Sequence, residues 1–253
     1  MIVELAYSEH GEGDPPLVLV HGFTGSQLDW TDVVDELAAN RRVITFDHRG
    51  HGDSTNLGDE SEYSLSILVD DFVALIDRLG LEQFDLLGHS MGGMVAMRYA
   101  LAHQHGLRSL ILMDTAAEPL PANDFFANWI ALARASGLDA VLAQIAAFYP
   151  QTDDARALAR LRVKWAQLDI AAFCALGNEL SNHEGVRERL GELSLPTTII
   201  VGEHDAPFRE PSAVMAAAIA GSHLEVIADA AHSPQEEQPE RWLAAIAAHL
   251  ERI

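Results

Sequence analysis

The chain has 253 residues, 49% of them hydrophobic, which is enough to bury one substantial core. With 16 basic and 38 acidic residues its formal net charge is −22, and because such a surface repels nucleic acids and anionic membranes, we expect neither as a partner. The single cysteine, Cys174, excludes an internal disulfide, and without a signal-peptide pattern or an apolar run near ~20 residues we expect a cytoplasmic protein.

Short, continuously apolar runs recur along the chain, at 17–20, 42–46, 84–87, 107–113, 197–201 and 224–227. Such runs are typical of strands that are buried on both faces of a parallel sheet. Apolar residues at helical spacing lie between them, at 65–79, 91–102 and 242–250. The alternation predicts an α/β fold, a mostly parallel central sheet with helices on both faces, in which ligands bind at the carboxyl ends of the strands.

One long region lacks strand-like runs. From about 117 to 193 the chain instead has four Ala-rich helical stretches, at 125–135, 138–148, 155–166 and 170–180. A helical insertion of this length between two strands predicts a cap over the carboxyl end of the sheet. We therefore predict a core domain made of residues 1–116 and 194–253, with residues 117–193 as an inserted helical cap. The oligomeric state, monomer or homodimer, stays open.

A glycine-flanked serine follows the run at 84–87. Residues 88–92 read Gly-His-Ser-Met-Gly and stand between a predicted strand and a predicted helix. A serine on a sharp strand-to-helix turn exposes its Oγ, and the helix that begins there directs N–H groups and its positive dipole end toward the same point. We predict Ser90 as a nucleophile; the alternative is a glycine-rich turn that merely contains a serine.

A serine hydroxyl needs an adjacent base, and a histidine in that role needs a carboxylate to fix its tautomer. Both residue types follow later predicted strands, in the chain order that this architecture requires. Asp205 follows the run at 197–201, and His232 follows the run at 224–227. We predict Asp205 as the orienting acid and His232 as the base; rival acids are Asp114, Glu203 and Asp229.

The negative charge that develops on a substrate oxygen needs two preorganised donors. One is predicted to be the backbone N–H of Met91, the residue after the nucleophile. The other is predicted to be the N–H of Phe23, in the loop that follows the run at 17–20. No histidine pair has metal-ligand spacing with a supporting Glu or Cys, so we expect no metal and no cofactor.

These motifs together resemble the α/β-hydrolase superfamily over nearly the full chain. The matching segments, in order, are His21-Gly22-Phe23, the loop 47–54, residues 88–93, residues 202–205 and the loop that ends in His232. The resemblance implies an α/β-hydrolase fold and an enzyme such as a small-molecule esterase, a lactonase, a C–C bond hydrolase or a cofactor-free haloperoxidase. A serine at position 90 argues against the haloalkane dehalogenases and epoxide hydrolases, which use an aspartate there.

The leading hypothesis is hydrolysis of a small, largely apolar ester or lactone through an acyl-serine. Alternatives that use the same three side chains are C–C bond hydrolysis and a pyruvate elimination like that of the menaquinone-pathway synthase. The segment 21–26 followed by Trp30 is similar to that synthase, but the family carries an arginine where this chain has Met94. A further alternative is a relative that binds a ligand without catalysis.

A small-molecule pocket is predicted between the cap and the sheet. Its candidate lining residues are aromatic: Trp30, Phe125, Trp129, Phe148 and Trp165. The cap also carries basic residues, namely Arg134, Arg156, Arg160, Arg162 and Lys164. These are typical of a solvated helix face, and any that turned inward would favour an anionic substrate.

Overall fold

Seven strands form one sheet in this computed structural model, which describes residues 1–120, 124–148 and 155–253, with the side chains of 124, 125 and 146–148 left out. The strands are β1 (Tyr7–His10), β2 (Leu17–Val20), β3 (Val43–Phe46), β4 (Phe84–His89), β5 (Leu107–Met113), β6 (Thr197–Gly202) and β7 (His223–Ile227). Their order across the sheet is β1-β3-β2-β4-β5-β6-β7, with β1 antiparallel to β3 and every other pair parallel. The predicted α/β class with a mostly parallel sheet is confirmed.

The described helices lie on both faces of the sheet and beyond its carboxyl ends. They are α1 (Val34–Ala38), α2 (Leu65–Leu79), α3 (Met91–His103), α4 (Asp124–Ser136), α5 (Leu138–Phe148), α6 (Ala155–Ala166), α7 (Ile170–Asn182), α8 (Ala206–Ala218), α9 (Pro234–Glu237) and α10 (Pro239–Leu250). Among the described helices, none is long and apolar enough to cross a membrane.

Strand β2 shows how the sheet divides the core into two layers. All four of its residues are buried, because alternate side chains point to opposite faces and both faces are covered. Val18 and Val20 pack into the layer that contains α2 and α3. Leu17 and Leu19 pack into the opposite layer, which contains α10. This double coverage explains the continuously apolar runs in the sequence.

The edge strand β1 is absent from the sequence predictions. Its residues read Tyr-Ser-Glu-His, and the first three are exposed. Since β1 pairs only with β3 and has one uncovered side, it needs no apolar run. Its backbone pairing, rather than any hydrophobic pattern, makes it a strand.

Helices α4 to α7 follow one another between β5 and β6 and have a small apolar core of their own. Trp165 and Phe173 pack at a ring distance of 5.7 Å within it, beside Ile130 and Val141. Asp169, at the start of α7, accepts the hydroxyl of Tyr63 at 2.6 Å and so ties these helices to the rest of the molecule. The division into a core domain and a cap domain at 116/117 and 193/194 stays a prediction.

Candidate active site

Ser90 occupies the turn between β4 and α3 in a strained backbone conformation. Its φ is +53°, in the left-handed region that residues with side chains rarely adopt. The strain is held by hydrogen bonds: the Ser90 N–H donates to the Met113 carbonyl at 2.8 Å, and the Ser90 carbonyl accepts the Thr115 hydroxyl at 2.6 Å. A Cβ on Gly88 or Gly92 would collide with neighbouring backbone, which explains the glycines that flank this serine.

Three side chains from separate loops meet in one hydrogen-bonded chain. His232 Nδ1–H donates to Asp205 Oδ2 at 2.8 Å, and the Ser90 hydroxyl donates to His232 Nε2 at 3.0 Å. The carboxylate fixes this tautomer, because it can only accept, so the lone pair of Nε2 faces the serine. Ser90 and Asp205 are buried, whereas 37% of the His232 side chain is exposed. The arrangement allows a proton to pass from Ser90 to a base that is open to a ligand.

The sheet places all three residues at one edge. Ser90 follows β4, Asp205 follows β6 and His232 follows β7, and parallel strands present their carboxyl ends on the same side. Asp205 stands immediately before α8, so its carboxylate lies near the positive end of that helix.

Two residues that the sequence reasoning did not identify hold the loop around His232. His89 Nε2–H donates to the His232 carbonyl at 2.7 Å. The Glu237 carboxylate accepts the N–H groups of Ala231 at 2.6 Å and Ser233 at 2.8 Å, on either side of the histidine. The signal for His89 is its place inside the 88–92 motif; Glu237 gives no signal in the sequence, because it acts on backbone groups.

His89 is a neutral donor. Burial, and then the neighbouring charge of His232, lower the pKa of His89 to about 3. Its ring lies 5.0 Å from the ring of His232. A neutral imidazole can donate to the His232 carbonyl without placing a second positive charge beside the base.

The loop that carries Phe23 lies directly against the serine. A Cβ added at Gly22 would stand 3.0 Å from Ser90 Cβ and 3.3 Å from His89 Nδ1, so a glycine lets the loop approach this closely without crowding these neighbours. The turn closes through the Gly25 N–H and the Gly22 carbonyl, at 3.1 Å, which leaves the Phe23 N–H outside the turn's own hydrogen bond. Met91 is the first residue of α3, so its N–H has no acceptor within the helix.

Aromatic side chains cover this loop. The ring of Phe23 stacks on Phe173 of α7 at 5.2 Å and meets the edge of Phe126 of α4 at 6.1 Å. Trp129 is half-buried and contacts Phe126 at 6.2 Å. The surroundings of Phe23 are therefore apolar. Trp165 is buried against Phe173 on the side away from solvent, inside the small core of the inserted helices.

Trp30, a predicted pocket residue, packs into the core, and its place in a pocket stays a prediction. Its side chain has no solvent exposure and packs against Trp242 at 6.3 Å, in the layer that contains α10. The indole at this place contributes to the core of that layer. The side chains of Phe125 and Phe148 lie outside the described residues.

Three basic residues of the inserted helices pair with acids that lie outside these helices. Arg134 pairs with Glu60 and Arg160 with Asp32, both at 2.6 Å. Lys164 meets Asp29 at 2.5 Å in a nearly buried pair. Burial alone would raise the pKa of Asp29, but Lys164 lowers it below its ordinary value. In the described part of the chain, these three cations thus bind acids.

Asp114, the main rival acid, follows β5 and lies behind Asp205. Its Oδ1 accepts the Gly202 N–H at 2.8 Å, whereas the His232 Nδ1–H donates to Asp205. Two groups of acids and histidines in the described ranges are close enough to share a cation, with ligand atoms within 4.8 Å: Asp114 with Asp205 and His232, and Glu203 with His204 and Asp229. The first is the serine site itself, and in the second Asp229 already pairs with Arg241. That the protein needs no metal stays a prediction.

Comparison with known proteins gives consistent matches. Among solved structures, the chain is similar to a thermophilic esterase from Thermogutta terrifontis (TM-score 0.86, 30% identity, 99% of this chain and 94% of that one). It is also similar to the enol-lactonase from Burkholderia xenovorans LB400 (TM-score 0.89, 24% identity, 98% and 97%). A Bacillus subtilis (strain 168) protein, provisionally named 2-succinyl-6-hydroxy-2,4-cyclohexadiene-1-carboxylate synthase, is 28% identical over 255 residues (94% of this chain, 91% of that protein).

A family model described as the alpha/beta hydrolase fold matches residues 15–239. The match spans the loop of Phe23, the turn of Ser90 and the two later loops that carry Asp205 and His232. The chain belongs to the alpha/beta hydrolase family.

Proposed function

We propose that this protein is a serine hydrolase that cleaves small, largely apolar carboxylic esters or lactones through an acyl-serine intermediate. The observation that carries the proposal is the hydrogen-bonded chain from Ser90 through His232 to Asp205, with distances of 3.0 and 2.8 Å. The similarity to an esterase, at 30% identity over 99% of the chain, supports the reaction class.

In the first half of the reaction, Ser90 Oγ attacks the carbonyl carbon of the substrate. His232 Nε2 takes the hydroxyl proton, and the Asp205 carboxylate stabilises the imidazolium that forms. The backbone N–H groups of Phe23 and Met91 stabilise the oxyanion; losing one such donor typically raises the barrier by about 2.7–4 kcal/mol. The proton on His232 then passes to the departing alkoxide, which leaves an acyl group on Ser90.

In the second half, water replaces the alcohol. His232 takes a proton from the water as it attacks the acyl carbon, and the same two N–H groups hold the second oxyanion. The serine leaves and regains its proton from His232, so the enzyme returns to its starting state and releases a carboxylic acid. A lactone follows the same path, except that the alcohol remains part of the product.

The preference for apolar substrates follows from the neighbours of the oxyanion loop. Phe23, Phe126 and Phe173 surround it with ring faces and edges. Three cations of the inserted helices, Arg134, Arg160 and Lys164, pair with acids. Pyruvate elimination, the activity named for the Bacillus subtilis relative, is less well supported, because residue 94 is a fully buried methionine without a charge to bind a carboxylate.

Hydrolysis of short p-nitrophenyl esters and small lactones tests the proposal. We expect turnover by the wild type, and a loss of about 10⁴-fold or more in kcat for Ser90→Ala. Ser212→Ala is a matched control, since Ser212 is also buried and its hydroxyl has no partner among the described residues. Full esterase activity in Ser90→Ala would disprove the mechanism.

A further inference from the structure

Behind the acid of the serine site lies a second acid that the mechanism does not use. Asp114 has no solvent exposure, and its backbone is fixed in the left-handed region at φ +44° by the bond from its N–H to the Ile200 carbonyl. Its Oδ1 accepts the Gly202 N–H, but as a carboxylate its Oδ2 would be buried without a donor among the described residues. A buried oxygen of this kind is costly to leave unpaired.

The neighbouring group is another acid. One carboxyl oxygen of Asp114, one of Asp205 and a ring nitrogen of His232 all lie within 4.8 Å of one another. Two carboxylates this close in a dry site cannot both be ionised. Asp205 is the better place for the charge, because it accepts the Nδ1–H of His232 and lies at the positive end of α8.

We propose that Asp114 is a positioning residue that keeps its proton, donates it from Oδ2 in a hydrogen bond to Asp205, and so holds the Asp205 carboxylate toward His232. The inference rests on the proposed function, in which Asp205 orients the base. The Gly202 N–H holds one oxygen of Asp114, and the protonated second oxygen donates a hydrogen bond to Asp205. The proposed chain of hydrogen bonds therefore runs from Asp114 through Asp205 and His232 to Ser90.

The charged groups that face Asp114 agree with a neutral acid. They are Asp205 at the start of α8, Glu237 on α9 and His232 in the loop before it. Burial, then the hydrogen bond to Asp205, raise the pKa of Asp114 to about 10, and the charge of Glu237 acts in the same direction. The Gly202 N–H opposes this shift without reversing it.

Two substitutions separate positioning from mere packing. Asp114→Asn keeps an acceptor for Gly202 and an N–H donor for Asp205, so we expect its kcat to stay within about tenfold of wild type. Asp114→Ala loses the donor and should lower kcat by about tenfold to a hundredfold, with little change in KM. The wild type should lose kcat as pH rises toward 10, and Asp114→Asn should not. Equal damage in both variants, or a wild-type pH profile in Asp114→Asn, would overturn the proposal.

An infrared measurement gives a reading that does not depend on turnover. At pH 8 the wild type should show the carbonyl stretch of a protonated carboxylic acid, and the difference spectrum against Asp114→Asn should show that band lost. Its absence would overturn the protonated Asp114 even in an active enzyme. If instead Ser90→Ala retained esterase activity while the band was present, the proposed function would fail and the Asp114 hydrogen bond would stand.

Discussion

At the scale of single residues, the position of His232 depends on hydrogen bonds that its own side chain does not make. His89 binds the carbonyl of His232, and Glu237 binds the N–H groups on either side of it. Because catalysis by a histidine is sensitive to shifts of about 1 Å, we expect these backbone contacts to matter for the proposed reaction.

His89→Leu tests this support. The substitution removes the donor to the His232 carbonyl, and we expect kcat on a short ester to fall by about tenfold to a hundredfold, with a smaller change in KM. His89→Gln, which retains an N–H donor, should recover part of the loss. His103→Leu, an exposed substitution at the far end of α3, is the control. Wild-type kcat in His89→Leu would contradict a positioning role.

The part of the candidate site that could be predicted from the sequence is the set of side chains that follow the ends of strands. Ser90, Asp205 and His232 were found because each follows a strand-like run, in a chain order that the chemistry requires. His89 and Glu237 were not found, because their partners are backbone groups of a loop whose path the sequence does not show. The sequence does not show that Trp30 packs in the layer that contains α10, because an aromatic residue beside a strand packs equally well on either face of the sheet.

At the scale of elements, strands that carry an apolar run were predictable and the polar strand β1 was not. The doubly covered β2, β3 and β4 have only buried residues, so hydrophobicity alone marks them. Strand β1 is polar and paired on one side, so its sequence is that of a loop. The helices between β5 and β6 were visible as periodic stretches, but no local pattern reveals the ion pairs that join them to the rest of the molecule.

The ion pair between Lys164 of α6 and Asp29 fastens one of these helices. Both side chains are nearly buried, at 13% and 7% exposure. Lys164→Met leaves the Asp29 charge buried without its main partner, and breaking such a pair costs about 3–5 kcal/mol. We therefore expect the free energy of unfolding of Lys164→Met, measured by urea unfolding, to be lower than that of the wild type by this amount.

The double variant Lys164→Met with Asp29→Asn provides the control for this prediction. It removes the stranded charge and should recover much of the lost stability, since a buried pair replaced as a unit is often nearly neutral. Equal stability of the wild type and Lys164→Met would contradict the fastening role of the pair.

At the scale of the whole molecule, the chain combines an acidic surface with an interior rich in neutral histidines. The net charge is −22, yet His21, His48, His51 and His89 are buried, and burial lowers the pKa of each. A histidine that is neutral when folded takes up a proton on unfolding below its ordinary pKa of 6.5. The contribution of the neutral histidine to stability is therefore complete above pH 6.5 and is lost as the pH falls toward its pKa in the folded state. Asp114 acts in the opposite sense, because it binds its proton more tightly in the folded state.

His51 offers a test of this pH dependence. The pKa of His51 in the folded state is about 3. At pH 5, holding the ring neutral therefore lowers the free energy of unfolding by about 2 kcal/mol relative to pH 6.5 and above. In His51→Gln, an amide can replace the ring as donor to the Arg49 carbonyl without titrating. We expect the wild type to lose about 2 kcal/mol more than this variant between pH 7.5 and pH 5, measured by urea unfolding. Parallel losses in the two proteins would contradict it.

The most direct test of the account is covalent labelling of Ser90 by a fluorophosphonate, read by intact mass and peptide mapping. An activated serine attacks phosphorus as it attacks an ester carbonyl, so we predict one adduct per chain, located on Ser90. Formation of the adduct should slow in the presence of a hydrolysable ester. It should be nearly abolished in folded His232→Ala. A folded wild-type protein that stayed unlabelled, or that carried the adduct on another residue, would contradict the assignment of Ser90 as the nucleophile.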